Sequence, residues 1–170
     1  MKLLRENGWI YAPCKDPVMV DDSMMNLLRE QAIQSPTGSS RLLLHRDPAQ
    51  SLHEMLIVHK RGFYIRPHIN SNSAKSYTLI DGEMIVAWFS GNGTMLGHSS
   101  LGSMKKFGNK LIRFDKPVFH TLLPITETVV FIETILGPHL ETIYADWAPS
   151  KDATDASSFY EKLKGDLRLI

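Results

Sequence analysis

The spacing of apolar residues along this chain changes twice. Met24, Met25, Leu27, Leu28, Ala32 and Ile33 recur at helical intervals. Asp21 or Asp22 precedes them as an N-cap, and Ser35-Pro36-Thr37-Gly38-Ser39-Ser40 ends the pattern, so a helix running to about Gln34 is predicted. Upstream, Gly8-Trp9-Ile10-Tyr11 reads as a short strand. From Arg41 to about Leu136 the helical period disappears. The short apolar runs are Arg41 to His45, Leu52 to His59, Gly62 to His68, Tyr77 to Ile80, Met84 to Phe89, Thr94 to Leu101, Lys110 to Phe114, His120 to Leu123 and Thr128 to Leu136. Asp81-Gly82 and Gly91-Asn92-Gly93 fall between them as hairpin-type turns. About nine short strands separated by turn residues predict an all-β sandwich or barrel, not a parallel sheet with crossover helices. After Gly137-Pro138 the pattern changes again. Ala145 to Pro149 reads as coil packed on the barrel, and Asp155 to Lys164 as a short C-terminal helix.

The organisation that follows is one domain over 1–170, with an N-terminal strand and helix in 1–40, a β-barrel in 41–136 and a coil and helix in 137–170. The length of 170 residues suits one sizeable core. A formal net charge of +1 gives no general attraction to nucleic acid or to anionic membrane, so a partner must be recognised by a local pocket. No run approaches the roughly 20 apolar residues of a membrane helix. The N-terminus lacks the features of a signal peptide. The single cysteine, Cys14, cannot form an internal disulfide and reads as a passive loop residue. A cytoplasmic protein is expected, in which Asn92-Gly93-Thr94 is a turn and not a glycosylation acceptor.

The chemistry concentrates in Gly62-Phe63-Tyr64-Ile65-Arg66-Pro67-His68-Ile69-Asn70, in Lys75 to Gly82, and in Phe114 to Leu122 with Pro117 and His120. These segments resemble the two motifs of the cupin superfamily: Gly, His-x-His, Glu and Gly, then a Pro-containing turn followed by His. Ser35-Pro36, Arg41 to His45, Ile65-Arg66-Pro67-His68, His120-Thr121, Glu133 to Pro138 and Trp147-Ala148-Pro149 narrow the match. Together they resemble the WbuC-type cupin-fold metalloproteins, over about residues 21 to 150. The resemblance implies a double-stranded β-helix, or jelly-roll, barrel. It also implies a bacterial setting linked to surface-polysaccharide metabolism, and homodimers in which Gly8 to Tyr11 pairs across subunits.

In that superfamily two histidines at i and i+2 point into the barrel from one strand, and a Glu and a later His complete a site suited to Zn, Fe, Mn or Ni. Here the resemblance brings His68 and His120 to two of those places, Asn70 to the second His and Lys75 to the Glu. An ammonium is hostile to a metal ion: unit charges about 4 Å apart repel by about 4 kcal/mol at an effective dielectric of about 20, and a divalent ion doubles this. The expectation is a protein without a cofactor, and the alternative a divalent metal on the reduced set His68, Asn70 and His120.

If the first motif is a strand, Tyr64, Arg66, His68 and Asn70 share a face, and Lys75 and Tyr77 share one on the next. Whether Lys75 points inward is left open. If it does, its charge needs a partner, and Glu133 is the candidate; an anionic ligand is the other. The resulting pocket offers His68, Lys75 and His120 for proton handling. Tyr64, Arg66, Asn70, Tyr77, Glu133 and His45 are offered for binding a small anionic or sugar-like molecule. Relatives without a metal include sugar epimerases and isomerases, which need only a positioned base and acid. A barrel that binds without catalysing is the remaining reading.

Overall fold

The computed structural model describes all residues except 1–2, 8, 14–15, 72–73, 103–107, 139 and 169–170. Cys14, Gly8 and His139, the last expected at the surface, therefore lie outside the described residues. The elements in chain order are β1 (Leu3–Asn7), β2 (Ile10–Pro13), α1 (Asp22–Gln34), β3 (Ser39–Leu43), β4 (Leu52–Lys60), β5 (His68–Asn70) and β6 (Lys75–Asp81). They continue with β7 (Met84–Phe89), β8 (Met95–Leu101), β9 (Leu111–Phe114), β10 (Phe119–Pro124), β11 (Thr128–Leu136), β12 (Thr142–Tyr144) and α2 (Ala156–Asp166). The Asp21 side chain accepts a hydrogen bond from the Met24 backbone N–H at 2.9 Å, which starts α1 where the sequence placed its cap.

Two sheets face each other. One has the order β1-β2-β3-β4-β11-β6-β9 and the other β12-β5-β10-β7-β8. From β4 to β11 the chain passes back and forth between them, staying in the second sheet for the β7–β8 hairpin, so that β4-β11-β6-β9 lies over β5-β10-β7-β8. This is the strand order of a jelly roll, the architecture the cupin resemblance implies.

Each sheet has part of its outer face covered by a helix as well as its inner face by the other sheet, and this explains why β4, β7 and β11 read as continuous apolar runs rather than alternating ones. In β4, Ile57 packs between the sheets, while Leu56 and Val58 point outward with Leu42 and Val130 onto Met24, Leu28 and Ala32 of α1. In β7, Met84 and Val86 face inward; Ile85, Ala87 and Phe89 face outward onto Ala156, Tyr160 and Leu163 of α2. The inner face is graded along its length. One end is filled by Leu79, Val86, Leu122 and Phe131. Further along the same strands stand Lys75, His120 and Glu133. Trp88 and Trp147 are partly buried, packed on Phe114 and on Phe89, Phe119 and Phe159, and His98 is exposed.

Two expectations are corrected. Gly62 to His68 is not a strand; only His68–Asn70 pairs, with His120 on one side and with β12 on the other. Pro67 has no N–H to give a ladder, and the neighbouring groups bond elsewhere: Thr121 Oγ1 donates to Ile65 O at 2.5 Å and the Ala145 N–H to Pro67 O at 2.9 Å. Asp81-Gly82 is a corner between the sheets, whereas Gly91 to Gly93 closes the β7–β8 hairpin. The strand β12 was not foreseen; three residues of mixed polarity leave no period to detect. Ile10 and Tyr11 pair within their own chain, with β1 and, in parallel, with Arg41 and Leu42.

The corner at Gly82 needs glycine. Its φ is +87°, and a Cβ there would stand 2.6 Å from Thr126 Oγ1 and 2.7 Å from the Thr128 carbonyl oxygen. Gly82→Ala is expected to lower stability by about 2 kcal/mol or more, read as a lower urea midpoint with unchanged slope.

Candidate functional site

A cavity of about 840 Å³ opens at the polar end of the inner face. The period-2 geometry of the strands lines it: Ser39, Arg41 and Leu43 from β3, His53, Met55, Ile57 and His59 from β4, His68 and Asn70 from β5, Lys75 and Tyr77 from β6, and Glu133 and Ile135 from β11.

Lys75 is only 4% exposed and points inward. Its Nζ lies 2.5 Å from Asn70 Oδ1, 3.3 Å from Glu133 Oε1 and 3.4 Å from His120 Nε2. The register accounts for this cluster: Ile135 pairs with Lys75 and Glu133 with Tyr77 across β11 and β6, and His120 pairs with His68 across β10 and β5. Asn70 is held in turn by its amide N–H donating to Thr142 Oγ1 at 3.3 Å. Asn70 and Glu133 thus accept from the ammonium within the protein, and His120 Nε2 lies beside it.

The two histidines are differently engaged. His120 Nδ1 is 2.8 Å from the Val118 carbonyl and donates to it, so Nε2 is the acceptor and receives a hydrogen bond from the Tyr77 hydroxyl at 2.8 Å. Burial, and then the Lys75 charge, hold His120 well below the usual imidazole range. Burial, then the Glu133 charge, push the Tyr77 hydroxyl well up. His68 Nδ1 donates to the Arg66 carbonyl at 3.0 Å, which turns Nε2 toward the cavity; there it has no hydrogen-bond partner among the described residues. Burial, and then Lys75, lower His68 to about 4. His68 is therefore a neutral imidazole at pH 7 with a lone pair facing the space where a ligand would sit.

Arg66 lines the wall. Its Nη2 donates to Ala145 O at 2.6 Å, its guanidinium lies 5.5 Å from the Tyr144 ring centre, and its Nε is buried without a partner. Tyr64 touches the cavity but does not share a strand face with His68. Its hydroxyl donates to Pro149 O at 3.1 Å, its ring packs on Phe159 and Tyr160, and burial pushes its hydroxyl up to about 12. His45 is at the cavity with His53 stacked on it, ring centres 4.0 Å apart and planes 10° from parallel. The reading from sequence passed over Ser39, Arg41, His53 and His59 as site residues. The alternation of His53 with His59 along β4, through Met55 and Ile57, is a signal for the two histidines, whereas Ser39 and Arg41 on β3 join them only through the pairing of β3 with β4.

The donor set does not fit a metal ion. Asn70 Oδ1 and His120 Nε2, two of the three donors expected on the reduced set, face the Lys75 ammonium, and His120 Nε2 also accepts from Tyr77. Among the described residues no three His, Cys, Asp or Glu side chains converge in a ligating arrangement.

A family model described as "Domain of unknown function (DUF6016)" matches residues 20–101. No curated protein sequence matches. Solved structures of Bacillus subtilis oxalate decarboxylase are similar to this chain. One addresses its Mn(II) centres and another is of the enzyme at pH 4.6, each with a TM-score of 0.45 and 15% identity. Each match covers 56% of this chain and 24% of that protein, so the chain spans about a quarter of the enzyme's length. Among the described residues, no helix is long and apolar enough to cross a membrane.

Two outcomes follow from the buried charges. Lys75→Met strands the Glu133 carboxylate, whose side chain is 15% exposed, and is expected to cost about 3 kcal/mol. Lys75→Met with Glu133→Leu should recover most of that loss in a double-mutant cycle read by urea denaturation. The histidines set a pH dependence. The folded values of about 4 for His68 and about 3 for His59 lie below the usual 6.5, so the unfolded chain binds protons first as pH falls. The stability held by the neutral rings is complete above about pH 6.5. It is lost as pH falls toward 4 for His68 and toward 3 for His59. His68→Gln should flatten the upper part of that slope in unfolding curves measured from pH 7 to 4.

Proposed function

We propose that the cavity binds a small anionic or sugar-like molecule, with His68 as the group that accepts a proton from it. The observation that carries this reading is the cavity's charge. Arg41, Arg66, Lys75 and Lys151 line it against Glu133 and Asp152, four cations to two carboxylates. Lys75 and Glu133 offset each other at 3.3 Å. The excess positive charge therefore belongs to groups that face the space itself, where low dielectric and an enclosing wall strengthen attraction for an anion. Tyr144, Trp9 and Phe63 add apolar faces suited to a sugar ring.

Within this reading the roles divide differently from the expectation that His120 and Lys75 act directly. The lone pair of His120 is taken by Tyr77, and Lys75 is enclosed by Asn70, Glu133 and His120. They hold the wall in shape. His68 offers a neutral imidazole with its Nε2 lone pair facing the cavity, and because its low pKa makes it a weak base, the proton it takes must come from a carbon acidified by a neighbouring carbonyl, the step an isomerase or epimerase needs. The neighbouring Arg66 guanidinium would stabilise the enolate that results. An anionic or activated sugar of the kind used in surface-polysaccharide synthesis has this chemistry.

A thermal-shift panel of hexose phosphates, sugar acids and neutral hexoses tests the reading. An anionic member is expected to raise the melting temperature by about 5 °C or more at about 100 times its Kd, and Arg66→Gln or His68→Gln should remove most of that shift. A panel in which no anion stabilises the protein, or in which both variants respond like the parent, would sink it.

A further inference from the structure

Ser39, Arg41 and His59 stand together on the inner face, on β3 and β4, which contribute no partner to Lys75. Ser39 pairs directly with His59 across β3 and β4, and Arg41 follows two residues on, opposite Ile57, so all three side chains line the cavity. Each has polar capacity left unused. Ser39 is 9% exposed and His59 8% exposed, and both Ser39 Oγ and His59 Nδ1 are buried without a hydrogen-bond partner. The adjacent Ser40, which points the other way, shows what is ordinary here: its hydroxyl donates to Leu28 O at 2.5 Å. The Arg41 guanidinium forms no hydrogen bond or ion pair among the described residues. Its charge is close enough to act on His59, on His68 and on Tyr77.

Unsatisfied buried groups are costly to keep. Here two of them, paired across β3 and β4, stand beside an arginine that also lacks a carboxylate among the described residues. A guanidinium presents a fork of donors matched to two oxygens of one anion, and the Ser39 hydroxyl and a His59 N–H can donate to the same group. We infer that Ser39, Arg41 and His59 form an oxyanion-binding subsite that takes the carboxylate or phosphate group of the molecule bound in the cavity. His68 and Arg66 are left for the part that reacts. The inference rests on the reading of the cavity as a ligand site and adds to it which end of the ligand carries the charge, and where.

The test titrates the full chain at pH 7 with inorganic phosphate and, separately, with acetate. Affinity is followed by calorimetry and the imidazole resonances by NMR. The expected result is saturable binding that moves the His59 resonances and is weakened about tenfold or more by Arg41→Gln. Arg41→Lys, which keeps the charge but loses the fork, should fall between. Tighter phosphate binding would identify a phosphate end, and equal or tighter acetate binding a carboxylate end. If phosphate and acetate bind Arg41→Gln as they bind the parent, or move His68 and leave His59 unmoved, the subsite is overturned while the cavity still binds anions. If neither anion binds, the subsite is overturned outright. If Arg41-dependent phosphate binding is found and no sugar derivative binds, the subsite stands and the sugar-like reading of the cavity falls. Should Arg41→Gln fail to fold, the comparison is made with Arg41→Lys and Ser39→Ala.

Discussion

A lysine ammonium held inside a β-barrel sets the terms for everything around it. Lys75 is as buried as a core leucine, and it is tolerated there because Asn70 and Glu133 accept from it, with His120 Nε2 3.4 Å away. These partners come from three other strands, β5, β11 and β10, which belong to both sheets. The charge therefore acts as a tie between the two halves of the sandwich at the end where apolar packing gives out. Such a tie adds little net stability compared with an apolar replacement, yet removing one member is expensive. It fixes geometry more than it adds free energy. The consequence is felt in the histidines: the same ammonium helps to keep His120 and His68 neutral.

Much of the architecture was legible because it rests on local chemistry. The Asp21 cap and the Met24, Leu28 and Ala32 stripe specify α1, and the glycine turns separate strands whose positions could be read to within a few residues. What could not be read was the route of residues 62–67. Tyr64, Arg66 and His68 alternate in sequence as strand residues do, but Pro67 breaks the ladder and the segment is held by side chains and by the tail. Alternation of residue type is evidence for a strand only where the backbone has a neighbour to pair with, and that neighbour is a fact of tertiary structure.

The site was legible in a similar, partial way. The positions of His68, Asn70, Lys75 and His120 follow from a resemblance in motif spacing. Lys75 beside Glu133 follows from the cost of a lone buried charge. The tautomers do not follow from sequence at all. They depend on which ring nitrogen meets a carbonyl, Val118 for His120 and Arg66 for His68. Those two bonds decide that one imidazole is closed off by Tyr77 while the other faces the cavity. Ser39, Arg41 and His59 escaped notice for a related reason. Each is unremarkable alone, and only the pairing of β3 with β4 brings them together.

The wall formed by residues 63–67 has a further consequence. It has no strand partner of its own and is fastened to the C-terminal tail by Tyr64 to Pro149, Arg66 to Ala145 and Ala145 to Pro67. The tail in turn is seated by Trp147, Phe159 and Tyr160 on the outside of the second sheet. Wall and tail therefore hold each other in place, with the Thr121 hydroxyl adding one bond to the wall from β10. Packing of the C-terminal helix on the outside of the second sheet thus bears on the shape of a cavity that opens on the sheet's other face.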